Sequence, residues 1–208
     1  MADTLNLAEA EGRAQRYWTI DGLPEIIMGA LWMVWGGAFL VGQLLPRGPV
    51  WNMYWMFTPA LLALSGVAAV QVTKRLKARI TFPRTGYVEW REPSRTHRMT
   101  TAGVAMVTAA LLVIILARSR AEGMGSTVAP VLGVILSLSF VVASLSQRAP
   151  YLLALAGAAL VLGLVFGASR TGWDAVNWMF VALGAATAAV GALRLGRFIR
   201  THPLEPVR

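Results

Sequence analysis

Pro24-Glu-Ile-Ile-Met-Gly-Ala-Leu-Trp-Met-Val-Trp-Gly-Gly-Ala-Phe-Leu-Val-Gly-Gln-Leu-Leu45 carries a single charged residue, Glu25, and that sits at its start. As an α-helix this run of about 22 residues would rise about 33 Å, enough to cross a hydrocarbon core roughly 30 Å thick. Five further apolar runs of about 18–23 residues follow it: Val50–Val72, Thr100–Ala117, Val128–Leu145, Pro150–Ala168 and Ala175–Leu193. A water-soluble fold has no place to hide so much continuous apolar sequence, so the reading is an all-α integral membrane protein with six transmembrane helices.

Composition agrees with that class. The 208 residues are 56% hydrophobic and 14% charged, against about 25% charged in an ordinary soluble domain. There is no cysteine, which excludes disulfides, thiolate metal sites, c-type haem attachment and a cysteine nucleophile. Only Lys74 and Lys77 are lysines, and the bias toward arginine and alanine points to a GC-rich bacterial genome.

The net charge of +9 would suggest nucleic acid in a soluble protein. Here its placement gives it another meaning. With the N-terminus inside, the outer loops hold Arg47, Arg118, Arg120 and Arg170, and every other lysine and arginine falls on the cytoplasmic side. Basic residues accumulate there in membrane proteins, so both termini are expected inside the bacterial cytoplasmic membrane. An even number of spans requires the same.

Short connections divide the spans into three antiparallel hairpins. Pro46-Arg-Gly-Pro49 joins the first two spans, Arg118–Thr127 the middle two, and Ser169-Arg-Thr-Gly172 the last two. The domain plan is an interfacial segment over 1–23, a first transmembrane hairpin over 24–72, a basic cytoplasmic loop over 73–99, two more hairpins over 100–193 and a basic tail over 194–208. In the first segment Leu7, Ala10, Ala14, Tyr17 and Trp18 recur at helical spacing, as in an amphipathic helix lying in the membrane interface. Asp21-Gly-Leu-Pro-Glu25 supplies a helix start, with Asp21 as a cap and Glu25 near the positive end of the dipole.

The basic loop is the largest soluble feature. Lys74, Arg75, Lys77 and Arg79 continue the second span as a helical turn or two, and Ile80–Trp90 reads as two short strands about a Pro-Arg-Thr-Gly turn. Lys74, Arg75, Lys77, Arg79, Arg84, Tyr87 and Trp90 are therefore the candidate contacts for anionic lipid or a partner protein. Each basic residue close to an anionic leaflet contributes on the order of 1 kcal/mol; the same charges also serve as a plain topology signal.

Two other patterns concern packing. Gly163-Leu-Val-Phe-Gly167 in the fifth span and the Gly184, Ala188 and Ala192 stripe in the sixth let helix backbones approach closely, so those two spans are expected to pack together. Trp51-Asn-Met-Tyr-Trp-Met-Phe57 echoes Trp173-Asp-Ala-Val-Asn-Trp-Met-Phe180, either as a duplicated hairpin or as two outer aromatic belts.

Tyr17-Trp-Thr-Ile-Asp-Gly-Leu-Pro-Glu-Ile26, the Trp- and Gly-rich first span and Arg79-Ile-Thr-Phe-Pro-Arg-Thr-Gly-Tyr-Val88 resemble segments of a group of bacterial multi-pass membrane proteins without an established activity. The resemblance covers roughly the first half of the chain. It implies a class, places both segments at the cytoplasmic face and carries over no site.

The chemical inventory is mostly negative. Proton relays and ion pathways place carboxylates, histidines or arginines inside the membrane, whereas Glu25 and Asp174 sit at helix starts and His97 and His202 in cytoplasmic segments. No catalytic, cofactor or metal residues are assigned. The expected function is a non-catalytic inner-membrane component that engages anionic lipid or a partner protein, or a second copy of itself, through its basic face. The alternative is a small transporter or channel for a neutral or hydrophobic solute, with Trp32 and Trp35 lining a cavity.

Overall fold

A computed structural model describes residues 20–85, 127–147, 149–169 and 172–203. All elements among these residues are helical: α1 (Leu23–Leu44), α2 (Pro49–Ile80), α3 (Phe82–Thr85), α4 (Val128–Gln147), α5 (Tyr151–Ser169) and α6 (Gly172–Thr201). Five of them, α1, α2, α4, α5 and α6, are long and apolar enough to cross a membrane. They coincide with five of the six apolar runs and fit a membrane-embedded, multi-pass protein. The remaining run, Thr100–Ala117, and the interfacial segment up to residue 19 lie outside the described residues.

Local chemistry sets the ends of these helices. Gly22 precedes α1 with φ 72°, a left-handed conformation that favours glycine. Pro24 then occupies the first turn, where a missing N–H costs nothing. Asp21 caps from one position further out than expected: its Oδ1 accepts the Leu23 N–H at 3.2 Å. Pro49 opens α2 in the same way. Both α2, with 32 residues, and α6, with 30, run well past their apolar stretches into basic turns.

The described residues fall into two compact units. Unit 1 contains α1, α2, α3 and the part of α6 from Phe180 onward; unit 2 contains α4 up to Ser146, α5 and α6 up to Met179.

In unit 1, α1 lies between two neighbours. Toward α2 the Trp35 indole N–H donates to Ser65 Oγ at 2.9 Å, the Tyr54 hydroxyl donates to the Ala38 carbonyl at 2.5 Å, and Phe39 stacks on Trp55 with ring centroids 5.7 Å apart. Contacts that descend α1 ascend α2, so the two helices are antiparallel. Toward α6 the contact is backbone to backbone. A Cβ on Gly29 would stand 2.5 Å from both the Ala188 nitrogen and the Gly184 oxygen, and one on Gly191 would stand 2.7 Å from the Gly22 oxygen. Only glycine permits such an approach. Most of the remaining surface of α2 is exposed apolar side chain, including Val50, Met53, Met56, Phe57, Leu61, Leu64 and Val67, the pattern of a helix solvated by lipid rather than by water.

In unit 2, α4 and α5 meet through small residues. A Cβ on Gly163 would lie 2.8 Å from the Gly133 Cα and 2.9 Å from the Ala129 oxygen. Three of the small residues singled out in the sequence make close contacts outside the expected pair: Gly163 meets α4, and Gly184 and Ala188 meet α1. In lipid any two small stripes can pair, and the sequence of one stripe does not specify its mate.

One expectation is corrected. The first arm of the proposed β-hairpin is helical: α2 runs through Ile80, and Phe82–Thr85 forms the four-residue α3. The Thr81 carbonyl accepts the Arg84 N–H, the Thr85 N–H and the Thr85 hydroxyl. Pro83 falls in the first turn of α3, where its ring is tolerated. Alternating Ile80 and Phe82 suggested a strand, but local hydrogen bonds satisfy this backbone without a partner strand. The second arm, with Tyr87 and Trp90, lies outside the described residues.

Candidate functional site

The start of α1 and the far ends of α2 and α6 converge at one end of unit 1, which we call its charged end. Asp21 is 0% exposed, Lys77 1% and Thr81 0%. The Lys77 ammonium donates to Asp21 Oδ2 at 2.6 Å, and the Thr81 hydroxyl donates to the same oxygen at 2.7 Å. With Leu23 N–H on Oδ1, the carboxylate receives three donors, two from the end of α2 and one from the start of α1. One turn into α1, Glu25 Oε1 accepts from Arg194 Nη1 of α6 at 2.8 Å.

These pairs share a physical logic. A buried ion is tolerated only where an opposite charge and further hydrogen bonds replace its hydration shell. Asp21 meets that condition through Lys77, Thr81 and the Leu23 N–H, and so ties the end of α2 to the start of α1. Glu25 and Arg194 tie α1 to α6 in the same way. Gly22 and Gly191, packed backbone to backbone, bring the carriers of these charges close enough to meet.

The predicted surface residues divide around this core. Lys74, Arg75 and Arg79 are exposed, whereas Lys77 is sealed against Asp21. Arg84 is half-buried and donates from Nη1 to the Ile80 carbonyl at 2.9 Å. On α6, Arg197 and Arg200 are exposed beyond the Arg194 pair. The charged end thus has a neutralised interior and a basic exterior.

Trp32 and Trp35 sit between helices. Trp32 meets Phe180 of α6 edge to face at 6.4 Å, and Trp35 holds Ser65 of α2. Replacing Trp35 with phenylalanine keeps the ring and deletes one donor, while Ser65 still donates to the Leu62 carbonyl. The expected loss is about 0.5–1.5 kcal/mol, read as a small drop in melting temperature.

In unit 2, Asn177 is 2% exposed, and among the described residues its amide nitrogen has no hydrogen-bond partner. No group of three or more His, Cys, Asp or Glu side chains that could hold a metal ion occurs among the described residues. His202 stacks on Phe198 with ring centroids 4.7 Å apart.

Sequence reasoning treated Asp21 as a helix cap and Glu25 as a dipole acid. Both roles are compatible with their positions, but neither names the basic partner, which stands 56 residues away for Asp21 and 169 away for Glu25. The only available signal was the conjunction of two acids at one helix start with basic turns ending two other spans.

Comparison with known proteins finds no matching family model, no similar curated protein and no similar solved structure.

Proposed function

We propose that this chain is a non-catalytic multi-pass protein of the bacterial inner membrane that engages anionic lipid through a basic cytoplasmic face. Six spans in three hairpins, with both termini in the cytoplasm, complete the proposal and place the charged end of unit 1 on the cytoplasmic side. The observation that carries it is the exposure of Lys74, Arg75 and Arg79 on α2 and of Arg197 and Arg200 on α6, at the end where both helices outrun their apolar stretches. A helix of 32 residues is about 48 Å long, so some 18 Å lies outside a 30 Å hydrocarbon core. Basic turns there stand at headgroup depth. The burial of Lys77 and the pairing of Arg194 remove two cations from that surface and leave the outer ones facing lipid phosphates.

Native mass spectrometry from mixed micelles containing phosphatidylglycerol tests the reading. The unaltered protein is expected to carry bound phosphatidylglycerol in preference to phosphatidylcholine. Reversing Lys74, Arg75 and Arg79 to glutamate removes about 1 kcal/mol or more per site, a loss of roughly 100-fold in affinity, with insertion preserved. Equal lipid occupancy in both proteins contradicts the proposal. A protein mass that accompanies the unaltered chain and is lost from the reversed one would move the reading to a protein partner, and a doubled mass lost in the same way to self-association. The transporter alternative has no observation of its own, since the contacts of Trp32 and Trp35 described above run from helix to helix.

A further inference from the structure

The two interfaces of α1 in unit 1 differ in kind. Against α6 the closest approaches are backbone on backbone, from Gly22 and Gly191 through Gly29 and Gly184, flanked by side-chain atoms of Glu25, Met33 and Arg194. Against α2 the contacts are discrete and widely spaced. At one end is an aromatic foot: Tyr54 and Trp55 rest on Ala38, Phe39 and Gly42. At the other is the buried Asp21–Lys77–Thr81 cluster. Between them lies the Trp35–Ser65 hydrogen bond, on a stretch whose side chains are largely exposed.

Immediately after the foot comes Pro59, in the interior of α2. Proline cannot donate to the carbonyl four residues back, and its ring crowds that turn, so the helix is weakest to bending there. The Thr58 hydroxyl donates to the Tyr54 carbonyl at 2.7 Å beside the break, a back-bond of the kind that itself favours bending of a helix.

We infer that α2 is an arm hinged at Thr58–Pro59, clamped by its aromatic foot, and that Asp21, Lys77 and Thr81 form the latch that holds its far end on α1. The latch is two-state by its chemistry. In an apolar surround the ammonium and carboxylate stay together or are rehydrated together, because separating them without water leaves the buried Asp21 carboxylate without its countercharge. From Pro59 to Lys77 the arm is about 27 Å long, so a bend of about 10° at the hinge moves its tip by about 5 Å. That displacement breaks every hydrogen bond in the cluster while the α1–α6 contact stays intact. The device stands apart from the lipid proposal: the arm is hinged and latched whatever its basic turns bind.

Paired spin labels test it, and the chain has no native cysteine to interfere. Ala78→Cys with Gly196→Cys reports the tip of α2 against α6; both sites are exposed, and a Cβ on Gly196 meets nothing. Met28→Cys with Ala192→Cys reports α1 against α6, again from exposed sites. In the full chain in lipid nanodiscs, Asp21→Asn is expected to lengthen or broaden the 78–196 distance by about 5 Å and leave the 28–192 distance unchanged. Adding Lys77→Gln, which replaces the ammonium that has lost the Asp21 charge with a neutral amide, is expected to restore the short distance. Adding Pro59→Ala to Asp21→Asn, which stiffens the hinge, is expected to shrink the displacement. A 78–196 distribution in Asp21→Asn that matches the unaltered protein overturns the latch. A control distance that shifts as far as the test distance overturns it too, because the cluster would then be holding the whole unit together.

Discussion

Replacing either Asp21 with leucine or Lys77 with methionine is expected to destabilise the charged end by about 3–5 kcal/mol, whereas replacing both costs far less than the two losses added together. Asp21→Leu leaves an ammonium that is 1% exposed without the carboxylate that stood 2.6 Å from it. Lys77→Met leaves a carboxylate with Thr81 and the Leu23 N–H but no countercharge. Either way a buried charge loses its opposite charge where hydration is excluded, and that loss dominates the cost. The double variant strands no charge, although the Thr81 hydroxyl and the Leu23 N–H lose their Asp21 acceptor, and it fills the site with apolar groups of similar bulk. A double-mutant cycle from denaturant titration in mixed micelles reads the coupling directly. A value of several kcal/mol is expected, and one below about 1 kcal/mol would show that the pair is hydrated in the membrane.

The second large effect is steric. Gly29→Leu is expected to force α1 and α6 apart, because the new Cβ would stand 2.5 Å from two backbone atoms of α6. Backbone cannot rotate out of the way as a side chain can, so the whole interface must open, at a cost above the usual 1–3 kcal/mol of overpacking. Separation also pulls Glu25 from Arg194, since the same two helices carry that pair. A lengthened spin-label distance between cysteines at 28 and 192, with membrane insertion retained, is the expected readout. Gly66→Ala is the matching control: a Cβ there meets nothing within 4 Å. Alanine should be neutral or stabilise α2 by up to about 1 kcal/mol, because glycine loses more backbone freedom on folding.

Why some features were legible in the sequence and others were not follows from these same residues. Membrane helices announce themselves because lipid leaves the backbone no other way to satisfy its hydrogen bonds, so an apolar run such as Tyr151–Ser169 has one available structure. Small residues at contact positions were also visible: Gly163, Gly184 and Ala188 all lie in interfaces. Their mates were not, since a helix–helix contact in lipid depends on two surfaces at once. The strand reading of Ile80–Phe82 failed because period-two alternation over a few residues is weak against the carbonyl of Thr81, which collects the local donors and winds the chain. The Asp21–Lys77–Thr81 cluster lay furthest from view. Nothing in the spacing along one helix foretells a partner on another, and Lys77 looked like any member of a surface-facing basic run.

The unequal lengths of the helices have one more consequence. In unit 1, α1 has 22 residues while α2 has 32, so the short helix alone is matched to the hydrocarbon thickness and the long one projects beyond it. A thicker bilayer would draw the first basic turn of α2, at Lys74 and Arg75, toward the acyl chains, and those side chains would have to reach back to the surface. A thinner one would leave the Asp21–Lys77 pair nearer to bulk water. The depth at which these charges ride is thus a gauge of the surrounding lipid, and membranes of different acyl length should tune how firmly this end of the protein is held.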